Sequence, residues 1–371
     1  MRVVLNTLST LKAKTGVGHY AAQLARHLPE FVDLTTFPDT RSPTAQGRAR
    51  PKPGGRRVPA WAKSAARLAA GAWFYAAYSR RRFDLYHEPN FLPLPSRLPT
   101  VVTVHDLSVV RHPEWHPADR VRRHEREFLP ALSRAAGVIT VSESVRRELI
   151  ELTGIAGERV VAVPNGVGPE FLAAQPDRSD ASRLGLPERY IVYVGTIEPR
   201  KNLLTLLRAW CDLPRAVRES CRLVLAGGWG WRADEVADYL TKVAIPRGVI
   251  HLGYVADDDR PRLYANATAL AFPSHYEGFG LPPLEMLAAG GAVIASDIAA
   301  HREVLGRHAA FVPAESIDGW RAALLTAATD PDWSARIRAG GRAHASQFTW
   351  RRTAAETAVA YANPSARRIA A

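Results

Sequence analysis

Cysteine is nearly absent from this chain of 371 residues. The two that occur, Cys211 and Cys221, flank a polar connection and fit no metal-ligand spacing, which argues against a disulfide framework and suits a reducing compartment. Both are expected to be packing residues. Long apolar runs are missing too, with nothing approaching the roughly 18 consecutive apolar residues of a membrane span. The opening MRVVLNT is a strand-like run broken by Asn6, without the charged-then-apolar pattern of a leader, so a cytoplasmic protein is expected. No short-period repeat or sustained low-complexity tract occurs. Acids are absent from Arg41 to Phe83, where eleven positive residues hold most of a net charge of +13.

That basic stretch opens with RSPTAQGRARPKPGGRR, too rich in Pro, Gly and charge to pack, and continues with WAKSAARLAAGAWFYAAY, which can form a helix. Two readings stand: a patch settling on an anionic membrane surface, here residues 41–82 on the cytoplasmic face of the plasma membrane, or a solvated loop followed by a core helix. The helix is apolar nearly all round, which favours the core. Nucleic acid is not expected as a partner, because the segment carries no recognisable nucleic-acid motif.

Length and a 47% hydrophobic content predict two domains. Short β-branched runs, each followed by a turn and a helical pattern, recur as VVLNT, VVTVHD, GVITVSES and VVAVPNGV. After the polar stretch AAQPDRSDASRLGLPER they resume as YIVYVGT, RLVLAGG, VIHLGYV, ALAFPS, AVIASD and AAFVP. This is the pattern of parallel βα units, so the expected class is α/β: two Rossmann-like doubly wound parallel-sheet domains facing a central cleft. The expected boundaries are 1–172 for the first domain, 173–187 for a linker, 188–348 for the second, and 349–371 for a helix crossing back to the first. Ligands of such sheets bind beyond the strand C-termini, so chemistry is sought there.

Following YIVYVGT, Arg200 and Lys201 precede a helix opened by Asn202. Two cations beside a helix N-terminus make a diphosphate clamp, although an isolated Arg-Lys pair is more often a solvated turn. In HYEGFGLPPLE the two prolines suit the first turn of a helix beginning near Leu281, and Gly278 and Gly280 allow close approach to a ligand. Glu277 and Glu285 can each accept hydrogen bonds from sugar hydroxyls. Complementing a helix dipole explains Glu285 as well, but not Glu277. Two apparent metal motifs are discounted. The D-x-D of Asp257 and Asp259 stands where helix-capping acids are expected, and His112 and His116 of HPEWH lie between prolines with no third ligand. No metal requirement is expected.

The segment EGFGLPPLE resembles the E-x7-E motif of retaining GT-B glycosyltransferases of family 4. The resemblance continues through YVGTIEPRKNL, VIHLGYV, ALAFPSHYEGFG, AVIASDIAAHREVLG and FTWRRTAAETAVAY, and in the first half through TGVGHYAAQL, TVVTVHDL, ITVSES and VVAVPNGV. It implies transfer of a sugar from a nucleoside diphosphate to an acceptor hydroxyl with retention. By the same resemblance Arg200 and Lys201 bind the diphosphate, Glu277 contacts the donor sugar, Glu285 holds the ribose, and Gly278, Phe279, Gly280 and Leu281 line the donor site. Gly16 and Gly18 resemble the family's glycine loop, though a plain helix-starting turn reads the same, and His105 resembles the histidine touching the donor sugar, though an isolated buried histidine is more often structural. The TVHDL and GTIEPRKN forms look most like those of mannosyl or related hexosyltransferases of surface polysaccharide pathways. GDP-mannose is therefore the expected donor, with a glycan, lipid-linked or small-molecule acceptor. The alternatives are a non-catalytic sugar-nucleotide binder and a sugar-nucleotide epimerase of the same fold.

Overall fold

The computed structural model describes residues 1–11, 16–38, 60–78 and 83–362. Contacts divide the chain into two units, one of Met1–Leu107, Arg123–Gly166 and the chain from Trp350 onward, the other of Ser108–Arg122 and Val167–Thr349. The polar stretch after residue 173 carries a short helix, Arg178–Arg183, in the second unit, and the helix Trp350–Tyr361 belongs to the first.

The first unit is built on β1 (Arg2–Asn6), β2 (Asp33–Phe37), β3 (Leu85–Glu88), β4 (Thr100–Val104), β5 (Gly137–Thr140) and β6 (Val160–Ala162). All pair in parallel, in the order β2-β1-β3-β4-β5-β6. The second unit holds β7 (Tyr190–Val194), β8 (Arg222–Ala226), β9 (Ile250–Gly253), β10 (Ala269–Phe272), β11 (Ala292–Ser296) and β12 (Ala310–Val312). These are also parallel, in the order β12-β11-β10-β7-β8-β9. Runs such as YIVYV and AVIAS are buried at every position because helices cover both faces of a parallel sheet. Each sheet is doubly wound, so the order reverses once, between β1 and β3 in the first and between β7 and β10 in the second. The loops leaving the carboxyl ends of those strand pairs diverge and leave a crevice between them.

Cys211 and Cys221 are free and buried in the second core beside Trp210 and Trp320. The helix Ala60–Tyr78 differs from the expectation of an all-round core helix. Its Phe74 and Tyr78 pack against Phe37 and Tyr86, while Leu68 is 74% and Trp73 56% exposed. A helix laid across one face of a sheet, here over β2, β1 and β3, buries one side only, and alanine-rich sequence conceals which side that is. The flanking basic residues 41–59 and 79–82 lie outside the described residues. Among the described residues, no helix is long and apolar enough to cross a membrane.

Candidate active site

The reversal point of the second sheet gathers the sharpest chemistry. After β7 the chain makes a tight turn at Pro199–Lys201 and passes through Asn202, held at φ +52°, into the helix Leu203–Cys211. Asn202 tolerates that left-handed conformation, and its Nδ2 donates to the carbonyls of Pro273, at 3.1 Å, and Ala314, at 2.7 Å. It thereby fastens the loop after β7 to the loop after β10. Arg200 and Lys201 are in this way brought against Glu277.

Arg200 Nη1 donates to Glu277 Oε2 at 2.7 Å, and Lys201 Nζ donates to Oε1, which also accepts from Ser274 Oγ at 2.7 Å. The other edge of Arg200 donates to Glu198 Oε1 from Nε at 3.3 Å and Nη2 at 3.1 Å. These side chains are at most 14% exposed, so water screens them little. Burial alone would raise the Glu277 carboxyl, but Arg200 and then Lys201 outweigh it and hold the group well below the usual carboxylate range. Burial and Arg200 lower the Lys201 ammonium, and Glu277 opposes them. The result is a cationic pair joined by the ionised Glu277, with Glu198 holding the far edge of Arg200.

Beyond Glu277 the chain turns through Gly278 and Phe279 to Gly280, which has φ +96° and caps the helix Leu281–Ala288, with prolines in its first turn. A side chain at Gly280 would sit 3.1 Å from the His301 ring as well as being strained. Phe279 is buried with its ring 6.1 Å from Phe348, so only its backbone can serve a ligand. Glu285, also on this helix, has a different environment. Its carboxylate accepts from Arg260 Nη1 at 3.1 and 3.2 Å and from Tyr264 Oη at 3.0 Å. The two acids of the motif thus share no partner.

In the first unit the reversal point lies between β1 and β3. Asn6 Nδ2 donates to Glu88 Oε2 at 2.7 Å across it, and the helix Gly16–His27 follows β1. A Cβ on Gly16 would meet no atom within 4 Å, whereas Gly18 is buried. His105, just beyond β4, bonds the Pro89 carbonyl through Nε2 at 2.9 Å. A carbonyl only accepts, so the proton sits on Nε2 and Nδ1 is left as an acceptor. Burial lowers the His105 pKa and keeps the ring neutral, with Tyr20 edge-on at 4.8 Å.

The discounted metal motifs resolve differently from one another. Asp257–Asp259 form a turn before the helix Arg260–Ala265, yet no side chain caps it. Asp257 instead pairs with Arg260, and Asp259 with Arg183 and Arg262. Those carboxylates are taken up by guanidinium groups instead of the helix amides, which corrects the capping expectation. His112 and His116 flank the turn Pro113–Trp115, where His112 pairs with Glu114 and stacks on Trp115, and His116 bonds Ser108. Sequence reasoning missed Glu198, Ser274, Arg260 and Tyr264. A carboxylate's partner can come from any neighbouring loop; Glu198, inside IEPRKN, and Ser274, inside ALAFPSHYEGFG, stood within quoted motifs, whereas Arg260 and Tyr264 did not.

Residues 175–344 match the family model described as glycosyl transferases group 1, and residues 14–171 match that of glycosyltransferase family 4. The O-antigen chain mannosyltransferase B of Escherichia coli is 31% identical over 97% of this chain and 99% of its own. The chain belongs to glycosyltransferase family 4. Among solved structures, sucrose-phosphate synthase from Thermosynechococcus elongatus superposes with a TM-score of 0.77 at 21% identity, covering 97% of this chain and 98% of that one. Anabaena HepE in complex with UDP and glucose does so with a TM-score of 0.73 at 18% identity, over 98% and 99%. At such identities the likeness concerns the fold, which is GT-B in both sheets of this family 4 member.

Proposed function

We propose that this chain is a retaining, metal-independent hexosyltransferase that moves mannose from GDP-mannose to a hydroxyl of a growing polysaccharide or glycoconjugate. The observation that carries the reading is the buried Arg200–Glu277–Lys201 group at the reversal point of the second sheet. The mannosyltransferase name of the Escherichia coli relative supports the choice of sugar.

Breaking the anomeric C–O bond leaves positive charge on the sugar and negative charge on the diphosphate. Arg200 and Lys201 would stabilise that developing anion from fixed positions in a site little screened by water. A retaining glycosidase would use a carboxylate as nucleophile about 5 Å from its acid partner. Glu277 suits neither role, because two cations hold it ionised and occupy both its oxygens. It orients the donor sugar instead. The acceptor oxygen then attacks from the face the diphosphate leaves, and its proton passes to a leaving phosphate oxygen. His105, with Nδ1 as acceptor, takes a hydroxyl of the donor sugar, Gly16 and Gly18 line the phosphate side, and Gly278, Phe279, Gly280 and Leu281 offer backbone to the donor. Glu285 holds the ribose. The protein works at the cytoplasmic face of the membrane, which it touches through residues 41–82.

A thermal-shift panel of nucleoside diphosphates and sugar nucleotides tests the donor, since a ligand at 100 times its Kd adds about 2.7 kcal/mol of stability. GDP and GDP-mannose are expected to shift the protein most. Turnover with GDP-mannose is then followed by NMR of the product anomer, with and without chelator. A β-linked product would remove retention, and loss of activity in chelator would remove metal independence. Binding without turnover on any acceptor would leave a sugar-nucleotide-binding protein.

A further inference from the structure

Glu285 is 2% exposed, and its partners come from a segment that carries no family motif in the sequence. The groups facing it are Arg260 and Tyr264 on the helix Arg260–Ala265, Asp257 on the turn before it, and Glu170 on the short helix Pro169–Leu172. Arg260 carries the positive charge among these four. One nitrogen, Nη1, bridges both carboxylate oxygens at 3.1 and 3.2 Å, Nη2 reaches Asp257 at 3.4 Å, and the guanidinium lies 5.6 Å over the Phe171 ring. Tyr254 adds a further electrostatic contact to the arginine. The guanidinium is thus fixed on several sides and aimed at one acid.

We propose that Arg260 is a positioning residue that orients Glu285 and favours its carboxylate form, so that it accepts a hydrogen bond from a ribose hydroxyl of the nucleotide. This rests on the reading of Glu285 as the ribose-binding acid. An ionised carboxylate offers about four acceptor sites, of which Nη1 and Tyr264 fill three, leaving one for a hydroxyl donor. A protonated carboxyl would turn one oxygen into a donor and lose that match. Burial holds the Glu285 carboxyl above the usual carboxylate range even with the guanidinium in place, Asp257 and Glu170 adding to it while Arg260 and Tyr264 oppose. Removing the guanidinium takes away the main opposing charge and raises the group further.

Binding of GDP and of inorganic pyrophosphate, which lacks ribose, is measured by calorimetry from pH 5.5 to 9 for wild type, R260M and R260K. In R260M the midpoint of GDP binding is expected to move up by at least one pH unit, about a tenfold loss of affinity below it. R260K should return the midpoint towards wild type, and pyrophosphate should bind all three alike. An R260M profile parallel to wild type, or an equal loss of pyrophosphate, would overturn the proposal. Should R260M fail to fold, R260M combined with E285Q is expected to fold, because a neutral amide needs no cation. Failure of that double variant overturns the proposal too. Wild type that binds pyrophosphate but neither GDP nor UDP would sink the nucleotide reading itself, and with it the role of Arg260.

Discussion

Glu277 and Arg200 meet across the reversal point of the second sheet, Oε2 to Nη1 at 2.7 Å, one from the loop after β10 and the other from the loop after β7. Neither loop could make this site alone. The contact exists because β7 and β10 are neighbours in the sheet while their following helices run to opposite sides. An acid between two cations lowers their net charge while no anion is bound and fixes where they point.

That arrangement predicts a split between binding and turnover in E277Q. The amide keeps the shape but removes the negative charge shared by Arg200 and Lys201, Glu198 still facing Arg200, so GDP should bind at least as tightly as to wild type. Orientation of the donor sugar is lost, and kcat is expected to fall roughly 10²–10³-fold, the range seen when one preorganised electrostatic contact is removed. Steady-state kinetics with a separate GDP titration measures both. Turnover at the wild-type rate would take Glu277 out of the reacting group.

Asn202 supports the same contact from behind. N202A removes two hydrogen bonds to carbonyls and leaves a side chain in the left-handed region, together about 2–3 kcal/mol. N202G loses the same bonds but not the conformational freedom, and should cost about 1 kcal/mol less. Urea unfolding of the two variants separates bond from strain. Equal losses would mean that the φ of +52° carries no strain.

The second sheet was legible strand by strand because YIVYV, RLVLA and AVIAS are continuous apolar runs, the mark of a strand buried on both faces. Two strands of the first sheet were not. DLTTF at β2 alternates with threonines, and LYHE at β3 is four residues with a histidine and a glutamate, both buried in the fold. Their polar side chains are satisfied by distant partners, His87 by Thr103 and Tyr361, and Glu88 by Asn6 and Tyr86. Such partners are invisible to a local pattern. The same applies at the site: HYEGFGLPPLE announced its glycines, prolines and acids, while Arg260 lay in VADDDRPRLYANA, where the acids drew the eye.

The helix Ala60–Tyr78 combines an exposed face, Leu68, Trp73 and Tyr75, with a sequence neighbourhood of eleven positive residues. Each basic residue near an anionic bilayer contributes about 1 kcal/mol. Sedimentation with anionic vesicles at low salt should carry the protein down, neutral vesicles should not, and L68E or W73E should weaken the association. Equal partition to both vesicle types would confine the exposed face to some other purpose.

His87 makes the first unit sensitive to acid. It is fully buried on β3, bonded to Tyr361 Oη at 2.6 Å and to Thr103 Oγ1 at 2.8 Å, so it ties the helix Trp350–Tyr361 to the sheet. Burial, with a smaller push from His105, lowers its pKa from 6.5 to about 3. The unfolded chain therefore binds a proton below pH 6.5 that the folded chain refuses. The stabilisation is complete above that pH and is lost as the pH falls towards 3, at up to about 1.4 kcal/mol per unit. Wild type should lose about 2 kcal/mol through this group between pH 6.5 and 5. H87Q should start less stable at pH 7.5 and decline less steeply, because the difference between the two proteins removes every other histidine from the comparison. Urea unfolding at the three pH values checks it, and parallel declines would mean that His87 is already protonated in the fold.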